Sequence, residues 1–292
     1  MPHAHHAIVG SFWASAALIL AALVYLRGWL RVGRLGLDSI AGWRAGSFVL
    51  GLLFIWIAMA SPLAALDHEL LTAHMAQHLL LMTLAAPLIW LGAPVMPFLH
   101  GLPRHFVQRL MAPLLRPSMQ QLEKTMAHPA VCWLGAAGTL LVWHIPAVFM
   151  IGLRSEMWHG IEQASFLATG LLFWWPVVQP WRSMLKWPAP LILLYLFLAT
   201  LPCDILSGFL VFCDRVVYPV YVSSSQPFGL SALEDQQCAG ALMWTCLTVV
   251  YLIAGAIFTA RLLSPQRSQD YWILQSESGA IPHATGRGLE IL

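Results

Sequence analysis

The sequence predicts an all-α polytopic membrane protein, a bundle of seven transmembrane helices with its N-terminus outside and its C-terminus in the cytoplasm. Three observations carry that expectation. Of 292 residues, 59% are apolar and only 10% are charged, against roughly 25% charged in soluble domains, and the mean hydropathy is +0.72. The apolar residues gather into seven runs of the length, about 20 residues, that crosses ~30 Å of hydrocarbon. Lys and Arg are also divided very unevenly among the segments that join those runs. A soluble enzyme is excluded, because so few charges could not keep a monomer in water. A net charge of +2 gives no argument for nucleic acid. Five cysteines without regular spacing make neither a disulfide framework nor a zinc ribbon.

The runs are Ile8–Leu26, Trp43–Ser61, Leu70–Leu91, Pro129–Leu153, Met157–Val178, Pro188–Phe212 and Gln237–Leu262. An open sheet in lipid would leave backbone groups unpaired, so each run reads as a helix. Residues 8–263 thus form the membrane domain, after a short His-containing external segment, 1–7. The first run lacks a basic leader and a small-residue cleavage site, so it is expected to be a retained helix. Arg27, Arg31, Arg34, Arg44, Arg104, Arg109, Arg116, Lys124, Arg182, Lys186, Arg261, Arg267 and Arg287 fall on one side of the bundle; only Arg154 and Arg215 fall on the other. Basic residues stay cytoplasmic, which fixes the expected orientation. The cytoplasmic connection 98–126 mixes Phe106, Leu110, Pro113 and Leu114 with Arg104, Arg109 and Arg116. It suits either an amphipathic piece on the inner leaflet or an ordinary polar connector. The tail 264–292, rich in Gly, Ser, Pro and charge, is expected to be disordered.

With that orientation, ligand-type side chains collect in the outer third of the bilayer. His74 and His78 lie four residues apart, a rise of about 6 Å that returns to nearly the same helix face. Two imidazoles so placed can share one metal ion or hydrogen-bond across helices. His144, in Trp143-His144-Ile145-Pro146, is either a third ligand or the partner of a carbonyl freed by the local kink expected at Pro146. His159 and Glu162 share a face at i and i+3, as ligands or as wet interfacial groups. His68, Cys203, Asp204, Asp235 and Met243 are weaker candidates, and Asp235 suits an N-terminal cap of the seventh helix better. The His3-Ala4-His5-His6 tract is expected to be mobile. Imidazole suits copper, zinc and iron, whereas sulfur from Met75, Met82, Cys203 and Met243 leans toward copper. Spacing alone does not choose among them.

His74-Met75-Ala76-Gln77-His78-Leu79-Leu80-Leu81, followed by Ala86-Pro87 and Leu91-Gly92-Ala93-Pro94, resembles the multi-spanning CtaG family of cytochrome c oxidase assembly factors. The resemblance continues through Trp143-His144-Ile145-Pro146, Trp158-His159-Gly160-Ile161-Glu162, Phe173-Trp174-Trp175-Pro176, Tyr218-Pro219-Val220-Tyr221 and Leu230-Ser231-Ala232-Leu233-Glu234-Asp235-Gln236, with Gly240 and Met243-Trp244, over roughly residues 45–262. It implies a non-enzymatic protein of the bacterial plasma (inner) membrane that works with haem-copper oxidase subunits, handling copper for them. One departure stands out. The family often has Glu-His after the helix 5 histidine, whereas Gln163 follows Glu162 here, and an amide is a poor copper ligand. The alternatives are a membrane redox protein using a metal or a haem held by imidazoles, and a copper permease. The second would need polar residues in the inner halves of the third, fifth and seventh helices, which are almost wholly apolar. A retinal photoreceptor is excluded, since the only lysines, Lys124 and Lys186, lie in cytoplasmic segments.

Overall fold

A computed structural model describes residues 2–34, 41–114, 125–126, 128–178, 188–224 and 228–263, and among the described residues every regular element is helical. The tail 264–292 and residues 115–124 of the connection 98–126 lie outside them. In chain order the helices are α1 Pro2–Arg34, α2 Gly42–Ala60, the single turn α3 Pro62–Ala65, α4 Leu71–Leu79, α5 Ala86–Leu91, α6 Val95–Gly101, α7 Arg104–Leu114, α8 Pro129–Trp143, α9 Pro146–Arg154, α10 Glu156–Val178, α11 Ala189–Phe212 and α12 Ala232–Leu263. A π-helical segment, Leu80–Ala85, joins α4 to α5, and a short 3-10 turn, Pro219–Ser223, lies between α11 and α12.

Among the described residues five stretches are long and apolar enough to cross a bilayer: Phe12–Arg34, Gly42–Ala65, Leu71–Leu91, Pro190–Phe212 and Ala232–Ala260. The bent pair α8–α9 makes a sixth if its halves count as one span. The remaining expected run is α10, whose 23 residues include Glu156, His159, Glu162 and Gln163 and so dilute its apolar character. Outward-facing Leu, Ile, Phe and Trp side chains such as Leu194, Phe197, Ile205, Phe209, Leu252 and Ile253 are exposed, as lipid contact requires.

Two apolar clusters hold the bundle together. The smaller joins α1, α2 and the π segment through Tyr25, Phe48, Leu52, Ile55 and Leu81. Tyr25 stacks on Phe48 at 3.9 Å between centroids, and its hydroxyl donates to the Gly92 carbonyl at 2.8 Å. Here α1 and α6 touch backbone to backbone. A Cβ on Gly28 would run into the Pro97 carbonyl, and one on Gly101 into the Val24 carbonyl. Small residues at such crossings let membrane helices gain van der Waals contact. The larger cluster, centred on Phe149, Phe166, Phe173, Trp174, Tyr195 and Tyr251, packs α4, α8, α10, α11 and α12 around a shared interior.

Several elements differ from the sequence reading. The first helix begins at Pro2, ahead of the run expected from Ile8, and so takes in the backbone of the His3-Ala4-His5-His6 tract. The local kink expected at Pro146 is a full break: α8 and α9 meet at 79°, with His144 at the C-terminus of α8 and Ile145 extended. Proline has no N–H and crowds the carbonyl of Val142, and extended Ile145 fits the bias of residues preceding proline. The third run is α–π–α, not one α-helix, with its π segment just before Pro87.

Candidate metal centre

The site is built on α4, whose first turn needs donors satisfied because its N-terminal residue, Leu70, offers no side-chain cap. Asp235 supplies that cap from α12. Its Oδ2 accepts from the Leu71 N–H at 2.6 Å and its Oδ1 from the Thr72 N–H at 3.1 Å, while the Thr72 hydroxyl donates to the Asp235 carbonyl at 3.1 Å. Asp235 is a capping residue, as its chemistry suggested, but for a helix 164 residues away and not for its own. Both carboxylate oxygens are thereby engaged. The cap anchors α4 one turn above His74.

From that anchored helix His74 and His78 face α10. Their Nε2 atoms are 2.8 Å apart, and each lies 3.3 Å from Glu162 Oε1. His74 is 0% exposed, Glu162 1% and His78 5%. The ring of His78 stacks on Phe166 at 4.0 Å, and Phe149 meets His74 edge-on at 4.9 Å, so aromatic faces hold both imidazoles in place. A second triad overlaps the first: Asp67, His74 and His159 bring ligand atoms within 4.8 Å of one another. His159 Nε2 is 3.0 Å from Asp67 Oδ2, and its Nδ1 is 3.4 Å from Glu162 Oε2. His68 sits at the rim, its side chain 59% exposed and its Nε2 3.8 Å from Asp67 Oδ1.

Asp67 lies in the loop before α4, held there by the Tyr221 hydroxyl donating to its carbonyl at 2.8 Å. Burial would push its carboxyl up, yet the hydrogen bond from His159 and the positive character of His159, His68 and His74 bring it below the ordinary aspartate value. Gln77 and Gln163 complete the polar lining. Gln163 Nε2 is 2.7 Å from His159 Nε2 and donates to Gln77 Oε1 at 3.1 Å, and the Gln77 amide reaches Asp67 Oδ2 at 3.4 Å. The departure at Gln163 therefore puts an amide where it orients neighbours.

The candidates separate into three groups. His74, His78, His159 and Glu162 converge, joined by Asp67, which the sequence reading did not single out. His144 is buried nearby, but its Nε2 faces Met75 Sδ at 3.1 Å and its ring centroid is 6.5 Å from His78, so Glu162 occupies the third place expected for it. Cys203 and Met243 line a cavity beside His78. Asp204 is half-buried on α11 and belongs to neither metal-type triad.

A metal ion fits the first triad on two counts. In a tetrahedral shell with bonds of about 2.0–2.1 Å, ligand atoms lie roughly 3.3–3.4 Å apart; the two His–Glu separations match this, while the two imidazole nitrogens, 2.8 Å apart, would have to spread as an ion entered. A carboxylate this deeply buried also needs a compensating positive charge; Glu162 Oε2 makes no hydrogen bond and has His159 Nδ1 at 3.4 Å beside it, a partner that a bound ion could supplement.

Fold and site together define a polytopic helical membrane protein with a buried histidine–carboxylate cluster. The chain belongs to the cytochrome c oxidase caa3 assembly factor family (Caa3_CtaG), whose family model matches residues 23–264. Among curated proteins it is similar to the uncharacterized protein ML1998 of Mycobacterium leprae, 23% identical over 252 residues, and to the uncharacterized protein Mb0105 of Mycobacterium bovis, 24% identical over 259 residues. These alignments cover 82% and 83% of this chain but only 37% of each relative, so the chain spans little more than a third of their length. No solved structure matches it.

Proposed function

We propose that the protein serves the assembly of a haem-copper oxidase by holding copper at His74, His78 and Glu162, with Asp67 and His159 as the outer part of the same site. In this reading it is a seven-span protein of the bacterial plasma membrane, its cluster toward the outer face, acting on oxidase subunits as a metallochaperone and not as an enzyme. The observation that carries the proposal is the meeting of two imidazole nitrogens and one carboxylate oxygen within 3.3 Å in a dry interior, in a chain whose family is defined by oxidase assembly. Two ligands on one helix are pre-positioned by the Asp235 cap, so little freedom is lost when the ion arrives. Glu162 balances the ion's charge where water cannot. When bound, the ion is cargo; the chain's own part is to desolvate it, fix its coordination and present it at one end of the bundle.

The test replaces Glu162 by Gln, which keeps shape and removes the charge. Purified protein should then lose stoichiometric metal, read by elemental analysis, while its helical circular dichroism is unchanged. A strain carrying only that variant should make its oxidase polypeptides but lose copper-dependent oxidase activity at limiting copper. Full metal content and normal oxidase activity would leave the proposal without support.

A further inference from the structure

Beside the triad lies a cavity that the copper reading above does not use. Six of the residues around it carry a nitrogen or sulfur donor: Met75, His78, Met82, His144, Cys203 and Met243. All six are buried, and no carboxylate lines the space. His144 shows what the cavity is arranged to hold. Its Nδ1–H donates to the Leu140 carbonyl at 2.7 Å, which leaves Nε2 as the nitrogen turned toward the cavity lining. That nitrogen faces the Met75 sulfur at 3.1 Å. A nitrogen and a sulfur donor thus meet at the cavity wall, close enough to share one bound cation. The Tyr218 hydroxyl, donating to the His144 carbonyl at 2.9 Å, holds the ring at the α8–α9 break where it can point inward.

The donor set selects the ion. Thioether and thiolate sulfur prefer Cu(I), Cys203 giving up its thiol proton as it ligates, while calcium and magnesium require oxygen ligands. One thiolate among otherwise neutral donors in an apolar interior also balances a single positive charge better than a double one, because the cost of burial rises with net charge. We propose that this cavity is a cuprous site, separate from the His74–His78–Glu162 triad and reached through His78, which borders both.

A route leads to it. Imidazole rings step inward from exposed His68 to His159 at 6.2 Å, His74 at 5.6 Å, His78 at 4.4 Å and His144 at 6.5 Å between successive centroids. An ion can pass along them by exchanging one ligand at a time, from carboxylate-rich surroundings to sulfur-rich ones. The ion enters as Cu(I) and stays so; no electron is transferred.

The proposal rests on the metal-handling reading, and its test separates the two. Full-length protein in detergent, kept anaerobic, is titrated with Cu(I) supplied as its bicinchoninate complex and separately with Zn²⁺. The combined variant Met75→Leu, Met82→Leu, Cys203→Ser and Met243→Leu, close in volume to the wild type, should bind Cu(I) at least tenfold more weakly and keep its Zn²⁺ uptake. X-ray absorption of the wild-type copper complex should detect sulfur as well as nitrogen around the metal, and the variant complex should lose that sulfur. Copper surrounded by nitrogen and oxygen alone in the wild type overturns the cuprous site, as does sulfur that survives removal of all four sulfur donors. Wild-type protein that takes Zn²⁺ but no Cu(I) sinks this inference alone; protein that takes neither sinks the metal-handling reading with it.

Discussion

At Gly152 the chain leaves room for one carboxylate and nothing more. A Cβ there would lie 2.8 Å from Glu162 Oε2, closer than carbon and oxygen tolerate, whereas one on Gly160, in the same helix as Glu162, would meet nothing within 4 Å. Gly152→Ala should therefore push the carboxylate off His74 and His78 and weaken Zn²⁺ or Cu²⁺ binding by about 10- to 100-fold, the usual cost of disturbing a group that orients a metal ligand. Gly160→Ala should leave it unchanged. Equal metal affinity in the two variants, by isothermal titration, would mean that Glu162 does not hold the ion. The pairings His74–His78 and His159–Glu162 are readable in sequence because helical periodicity puts i, i+3 and i+4 on one face. Asp67 is not, because it sits in a loop with no period to expose it. The helix capped by Asp235 is equally hidden, since the contact spans 164 residues.

The irregular element that bears most on the site is the π segment between α4 and α5. At its end the Ala86 N–H reaches the Leu81 carbonyl, five residues back. The next donor in that pattern would be Pro87, which has none, so the Met82 carbonyl is left for another partner. Trp174 provides it, its indole N–H donating at 3.1 Å across from α10. Gly170 packs on the same spot, where a Cβ would meet Met82 Cα at 2.8 Å. Trp174→Phe should cost about 1–3 kcal/mol, the penalty for a buried acceptor without a donor, read as a lower unfolding temperature in detergent. Pro87→Ala restores an N–H to that region and should recover part of the loss in the double variant; simple additivity of the two effects would refute this account of the segment. Hydropathy sees only an apolar run at 70–91, blind to the ring width of its hydrogen bonds. The break at His144 was legible in kind from Pro146 but not in size, because the 79° turn depends on what α9 packs against and on Tyr218 accepting the role of donor to the freed carbonyl.

Across the whole molecule, charge and site oppose each other in sequence. The connections that carry Asp67, Glu69, Glu156, Asp214 and Glu234 hold only Arg154 and Arg215, while the other thirteen basic residues belong to the remaining connections and the tail. Acidic surroundings raise the local concentration of a cation, so the cluster opens where approach of a metal is favoured and stands away from the segments that would repel it. In the proposed orientation, with basic segments retained in the cytoplasm, His68, the exposed start of the imidazole series, would lie on the outer face. In the function proposed above, a donor that opened there would meet its acceptor without carrying an ion across the membrane. Topology is thus a functional requirement of the model and can be tested as one. A reporter active only outside the cytoplasm, fused after Ser224, should be active, and the same reporter fused after Arg109 should be silent. The reverse pattern would put the cluster on the cytoplasmic face, and outward delivery of copper by this protein would be ruled out.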